Sequence, residues 1–222
     1  MAFVPLDILY QRAKYILRNE GWWAFIRQGF SFVRNLFFSY GNYYIYEREL
    51  SEPSETKFTP KIPNRALKIV TTTDELKELV VEGFDINSYF NMEELKWRIN
   101  KGMTLFGVFV GKNLAHRSFV AMNRKANVDP VLSMSIVNWQ KEASIGPCTT
   151  PAEYSGLNLY PYTLSQICRY LKGQNKQNVK ITTSKQNAPS IRGIEKAGFK
   201  ICGEARYLRL FYLIKCCKVK PI

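Results

Sequence analysis

Long apolar runs, histidine and paired cysteines are what this sequence has least of. No stretch of about 18 uncharged apolar residues occurs, so no helix is expected to span a bilayer. Asp7, Arg12, Lys14 and Arg18 interrupt residues 1–20, and no small-residue cleavage site follows, which excludes a secretory signal. A cytoplasmic location is the expectation. His116 is the single histidine, and the five cysteines (Cys148, Cys168, Cys202, Cys216 and Cys217) form no C-x-x-C. That spacing argues against a zinc site or a disulfide framework, so reduced, mostly buried thiols and no metal are expected. Neither an internal repeat nor a low-complexity tract is present.

Acid is also scarce. The chain carries 32 Lys and Arg against 18 Asp and Glu, a net charge of +14. The imbalance is local: residues 62–95 hold 3 basic and 7 acidic side chains, and residues 96–222 hold 21 and 5. Charge alone does not choose among a phosphorylated ligand, a nucleic acid and an anionic membrane. No recognised nucleic-acid motif is present, so nucleic acid is the least favoured of the three. Apolar content of 46% and 222 residues suit one folded domain plus an extra segment, or two small domains.

Two parts are expected, an N-terminal amphipathic extension with a strand over 1–60 and a larger domain over 61–222. Trp22, Ile26, Phe30, Val33 and Phe37 recur at helical spacing and form one apolar face. Residues 6–46 therefore dock on the domain, form a dimer contact, or rest peripherally on the inner membrane surface. Residues 42–50 are tyrosine-rich and β-prone, and 51–65, with three prolines, read as a linker. A short strand over 67–71 follows, then a helix capped by Thr73 or Asp74, then a second helix over 92–100. Residues 104–110 and 114–121 form a hairpin about Gly111-Lys112-Asn113. Strands are expected over 131–137 and 143–150, a helix over 161–172 ending at Gly173, and a strand over 179–183. Pro189 opens a helix that stops at Gly198, and strands over 199–206 and 208–216 finish the chain. The order implies an α/β fold on one central sheet.

Two segments carry the chemistry. Thr149-Thr-Pro-Ala-Glu-Tyr-Ser-Gly-Leu-Asn-Leu-Tyr160 joins a strand to a helix, where successive backbone N–H groups and a positive helix end converge on an anion such as a diphosphate. Thr182-Thr-Ser-Lys-Gln-Asn-Ala-Pro-Ser-Ile-Arg-Gly-Ile-Glu-Lys-Ala-Gly-Phe199 is a strand end, an Asn and a helix closing in E-K-A-G-F. Together they resemble the GNAT superfamily of acyl-CoA-dependent N-acetyltransferases. The resemblance covers about 66–215 and implies a central mixed, mostly antiparallel sheet flanked by helices. It implies acetyl-CoA or another acyl-CoA as co-substrate and an amine as acceptor. Cys148, Thr149 and Thr150 would run along the pantetheine arm. Ser155, Gly156, Leu157, Asn158, Leu159 and Tyr160 would surround the pyrophosphate. Asn187 would contact the cofactor near its thioester, and Ser190 opens the following helix.

The sequence departs from the family's pattern at four places. Its Arg or Gln falls on Ser155, its central Gly on Asn158, its last Gly or Ala on Tyr160, and its Tyr acid on Ile194. Asn tolerates a left-handed backbone, so the turn is expected to survive at Asn158. Direct attack of an amine on a thioester needs a neutral amine, held reactants and an oxyanion donor, with no covalent intermediate. Glu142 is the first candidate for the base, Glu153 the second, and His116 a further proton carrier. Tyr207 and Cys202 are remote candidates for the acid. The expected function is N-acyl transfer. A catalytically silent CoA-binding or scaffolding module is the alternative, and a nucleic-acid binder a further one.

Overall fold

In the computed structural model, residues 17, 21–23, 25–26, 29, 38–51, 59–134, 137–210 and 214–222 are described. Eight strands form one sheet. They are β1 (Phe38–Glu49), β2 (Arg65–Val70), β3 (Thr104–Val110), β4 (Asn113–Ala121), β5 (Glu142–Thr149), β6 (Asn178–Ser184), β7 (Lys200–Leu210) and β8 (Ile214–Pro221). Their order across the sheet is β2-β3-β4-β5-β6-β1-β7-β8. Only β5 and β6 run parallel, joined by a helical crossover; every other pair is antiparallel. The fold is α/β, a mixed and mostly antiparallel sheet flanked by helices.

The helices are α1 (Thr73–Val81), α2 (Met92–Asn100), the short α3 (Pro130–Met134), α4 (Leu159–Gly173) and α5 (Ala188–Lys196). Sequence dictates their starts. Thr72 caps α1, its side chain accepting from Glu75 N while Glu75 answers the cap backbone, one residue earlier than expected. Asn91 caps α2 and Asn187 caps α5. One face of the sheet receives α1 and α2, where Leu76, Leu95 and Ile99 meet Phe109 and Phe119. The other receives α4 and α5, where Leu164, Ile167, Leu171 and Ile194 meet Phe106, Val120, Ile145 and Ile181. Each such fully buried aliphatic side chain contributes roughly 1.5–3 kcal/mol relative to exposure.

Several expectations shift. Of the strand expected over 131–137, residues 131–134 are helical instead: Asp129 accepts from Val131 N and Leu132 N and caps α3, the Asp-Pro pair opening a helix that outweighs the β-branched residues, while residues 135–136 lie outside the described residues. The two last strands are longer than expected: β7 continues through Tyr207 to Leu210, and β8 pairs with it from Ile214 to Pro221. The tyrosine-rich segment, grouped with the N-terminal extension, lies inside the sheet between β6 and β7. Residues 17, 21–23, 25–26 and 29 are helical, and Trp22, Trp23 and Ile26 are exposed. The rest of the apolar stripe (Phe30, Val33, Phe37) and most of the linker lie outside the described residues.

Candidate functional site

Parallel pairing of β5 with β6 runs only from Glu142↔Asn178 to Ile145↔Ile181. Beyond it the strands part, β5 staying with β4 (Ser118↔Cys148, Arg117↔Thr149) and β6 with β1. Next to the parted ends, a cavity of about 490 Å³ is lined by the end of β5, the turn after it, the start of α4 and the first turns of α5.

The turn is built for positive φ. Tyr154 N and Ser155 N close a 3-10 turn onto Pro151 and Ala152 carbonyls, Gly156 has φ 78°, and Asn158 has φ 61°, ψ 18°. Asn158 thus takes the left-handed conformation expected of it, which Asn adopts at low cost. Unlike Asn91 and Asn187, it makes no side-chain cap, and Pro161, in the same first turn, has no N–H to offer. The positive end of the 15-residue α4 therefore opens on the cavity without a side-chain acceptor.

Eleven of the expected site residues line this one cavity: His116, Cys148, Thr149, Thr150, Ser155, Gly156, Asn158, Leu159, Tyr160, Asn187 and Ser190. Leu157 turns away into the apolar cluster of Val108, Ala115 and Leu159. Asn187 Oδ1 accepts from Ser190 N at 3.2 Å, fixing the start of α5. Tyr160 packs its ring against Gly193 of α5, 5.5 Å from the ring of His116; burial holds its hydroxyl well above the usual tyrosine pKa. Burial also pushes the Cys148 thiol up to about 11, which leaves it protonated and a poor nucleophile.

Two candidates for proton transfer change role. Glu142 opens β5 at the end away from the cavity, about 20 Å along the strand from its last residue at ~3.3 Å per residue. Its carboxylate accepts from Asn138 N at 2.9 Å and from Lys180 Nζ at 2.8 Å, which makes it a partly buried structural ion pair. His116 is fully buried, with Nδ1 2.6 Å from Thr150 Oγ1 and Nε2 2.9 Å from Ser118 Oγ. Burial, and secondarily the Arg117 cation, push its pKa down to about 3, so the ring is neutral near pH 7 and does not exchange protons there. Glu153 accepts from the Tyr89 hydroxyl outside the cavity wall. Cys202 and Tyr207 pack in a separate cluster with Ile45 and Val131.

Two cations on the cavity wall went unremarked in the sequence. Arg192 and Lys196 stand four apart on α5, on one helix face, and both line the cavity. The i, i+4 spacing in R-G-I-E-K was the available signal.

No protein-family model matches the chain, and no curated protein matches it in sequence. Solved structures do match in shape. A Drosophila protein superposes with a TM-score of 0.52 at 7% identity, over 83% of this chain and 56% of its own. An acetyltransferase of the GNAT family from Colwellia psychrerythraea gives 0.47 at 16% identity, over 78% and 56%. A GCN5-related N-acetyltransferase from Sphaerobacter thermophilus gives 0.49 at 11%, over 81% and 54%. The match thus spans little more than half the length of each. The likeness shows the fold alone, a mixed and mostly antiparallel sheet flanked by helices.

Proposed function

We propose that this chain binds an acyl-CoA, most simply acetyl-CoA, beside the parted ends of β5 and β6 and transfers the acyl group to an amine. The observation that carries the reading is the uncapped N-terminus of α4 opening on a cavity that Arg192 and Lys196 of α5 also line. A diphosphate fits such a place, because amides and cations meet it from two sides. Arg192 and Lys196 supply the positive charge that Ser155 does not. Cys148 to Thr150 would flank the pantetheine arm, and Asn187 and Ser190 would close over it. Held in that groove, a thioester is open to direct attack by a neutral amine.

A second reading has an observation of its own. Ile194 is fully buried in the apolar core, and no carboxylate among the described residues lines the cavity, which favours a CoA-binding module without turnover. Thermal-shift titration of the whole chain with acetyl-CoA and CoA, with ATP as the anion control, tests binding. A ligand at 100 times its Kd adds about 2.7 kcal/mol of stability. No shift beyond that of ATP would remove both readings, and binding without thiol release to any of a panel of amines would leave the silent module. We place the site of action in the cytoplasm. The exposed Trp22 and Trp23 support a surface contact of the N-terminal segment, with a second copy or with the inner membrane face. Flotation with anionic vesicles, beside the oligomeric state in solution, separates these.

A further inference from the structure

Arg117 stands on β4 with 7% of its surface exposed, and its Nε and Nη1 are buried without a hydrogen-bond partner among the described residues. Only Nη2 is paired, donating to Glu94 Oε1 at 3.3 Å and Oε2 at 3.1 Å. Glu94 also accepts from Arg98, Nε at 3.1 Å and Nη2 at 2.8 Å. Two guanidinium cations therefore share one carboxylate, and this cluster keeps one positive charge in excess. Unpaired N–H groups and an uncompensated charge are both costly away from water, and native proteins rarely keep them without a ligand, an ion or an ordered water to meet them.

The place adjoins the groove. His116, the preceding residue, lines the cavity, and Arg117 pairs with Thr149, which also lines it, about 4.8 Å away across the sheet. The Arg117 side chain lies on the other face, where the Phe90 and Phe119 rings stand 4.6 and 5.9 Å from its guanidinium carbon. Phe90 belongs to the connection between α1 and α2. Its neighbour Tyr89 reaches the turn after β5, donating to Glu153 and meeting the Tyr154 ring edge-on at 5.9 Å. Tyr154 in turn lines the cavity. Guanidinium and groove thus occupy opposite faces of the sheet, near the end where β5 has left β6.

We propose that Arg117 binds a carboxylate of the acceptor, so that the acceptor is an amino acid or a related amine bearing a carboxylate; this rests on the acyl-transfer reading above. A carboxylate supplies the oxygens that Nε and Nη1 lack, and its single charge matches the single excess charge of the Arg98–Glu94–Arg117 cluster. A phosphate dianion would exceed it. Phe90 is the side chain that turns aside to admit the ligand. With the carboxylate held beside β5, the amine is presented towards the thioester that Cys148 to Thr150 flank.

The test uses the whole chain, acetyl-CoA and matched amines: the standard L-amino acids, β-alanine and γ-aminobutyrate, each beside its carboxamide, with spermidine and glucosamine as amines that carry no carboxylate. Thiol release by the parent should favour at least one free acid over its amide by tenfold or more in kcat/KM, the worth of a charge-assisted hydrogen bond. Arg117→Gln should bring that acid down to the rate of its amide, while the amide's own kcat/KM and the acetyl-CoA Kd stay within about twofold. Arg117→Lys, which keeps a charge beside Glu94, should lower the preference without abolishing it, and it carries the comparison if the glutamine variant does not fold. Equal rates for acids and amides in the parent, or an unchanged preference in the folded variants, overturns the assignment and leaves a water on the guanidinium. Thiol release only with spermidine, glucosamine or the amides overturns it too, with acyl transfer left standing. A parent that binds no CoA, or releases no thiol with any of these amines, instead removes the acyl-transfer reading, and the role of Arg117 with it.

Discussion

Gly193 and Tyr160 fit together because one of them has no side chain: a Cβ on Gly193 would sit 2.5 Å from Cδ1 of the tyrosine ring. The contact ties the start of α4 to the middle of α5, two helices otherwise joined through β6.

Gly193→Ala should therefore destabilise the chain by about 1–3 kcal/mol, the usual cost of overpacking, although Ala is the better helix former. In a Tyr160→Ala background the same change should be neutral or stabilising. A double-mutant cycle on denaturant midpoints measures the coupling, and additive effects would mean that the ring moves aside freely.

Gly156 has φ 78° with open space where a side chain would go, so substitution there costs backbone strain and not a clash. Gly156→Val should cost about 1–3 kcal/mol of stability and reduce CoA affinity at least tenfold, because the turn must change shape. Calorimetry with CoA reads the second effect, and unchanged affinity would move the anion site off this turn.

Glu142→Gln should lower stability by about 1.5–3 kcal/mol, because Lys180 keeps only Glu47, at 3.6 Å. Affinity for acetyl-CoA and thiol release should stay within twofold of the parent. A hundredfold loss of turnover with the Tm unchanged would restore Glu142 to the chemistry.

His116 sets a dependence on pH. Its pKa is about 3 when folded and 6.5 when unfolded, so between those values the unfolded chain binds the extra proton. Its contribution is complete above pH 6.5 and is lost as pH falls towards 3, at up to ~1.4 kcal/mol per pH unit. Denaturant titrations at pH 7, 6, 5 and 4 should show a shallower decline for His116→Gln than for the parent. Parallel curves would mean that the ring titrates normally.

Much of this was legible because local chemistry and final structure agree. Gly111-Lys112 turns the hairpin, Asn158 takes the left-handed position, and Asn187-Ala-Pro opens α5, each from properties of two or three adjacent residues. Failures came where distance in space decides. The strand expected over 143–150 does not say which of its ends meets the cavity, and Glu142 lies at the wrong one. One histidine beside a basic stretch does not reveal that Thr150 and Ser118 enclose it. Residues 131–134 were misread for a local reason, the capping strength of Asp129 before Pro130.

The place of β1 in the sheet governs how the molecule comes to exist. Glu49 pairs with Asn178 and Phe38 with Leu210, so a strand made early on the ribosome waits for partners from the last quarter of the chain. Pairings of such separation pay loop-closure entropy before they return contact energy, and they slow folding. Until β6 and β7 emerge, β1 is an unpaired template beside the growing β2–β5 meander, open to pairing with another nascent chain. Cutting the sequence near residue 60 would leave β6 and β7 without the strand that joins them, and α5, whose first turns line the cavity, is the link between those two strands. The segment before the linker is thus a condition for the ligand groove and not an appendage to it.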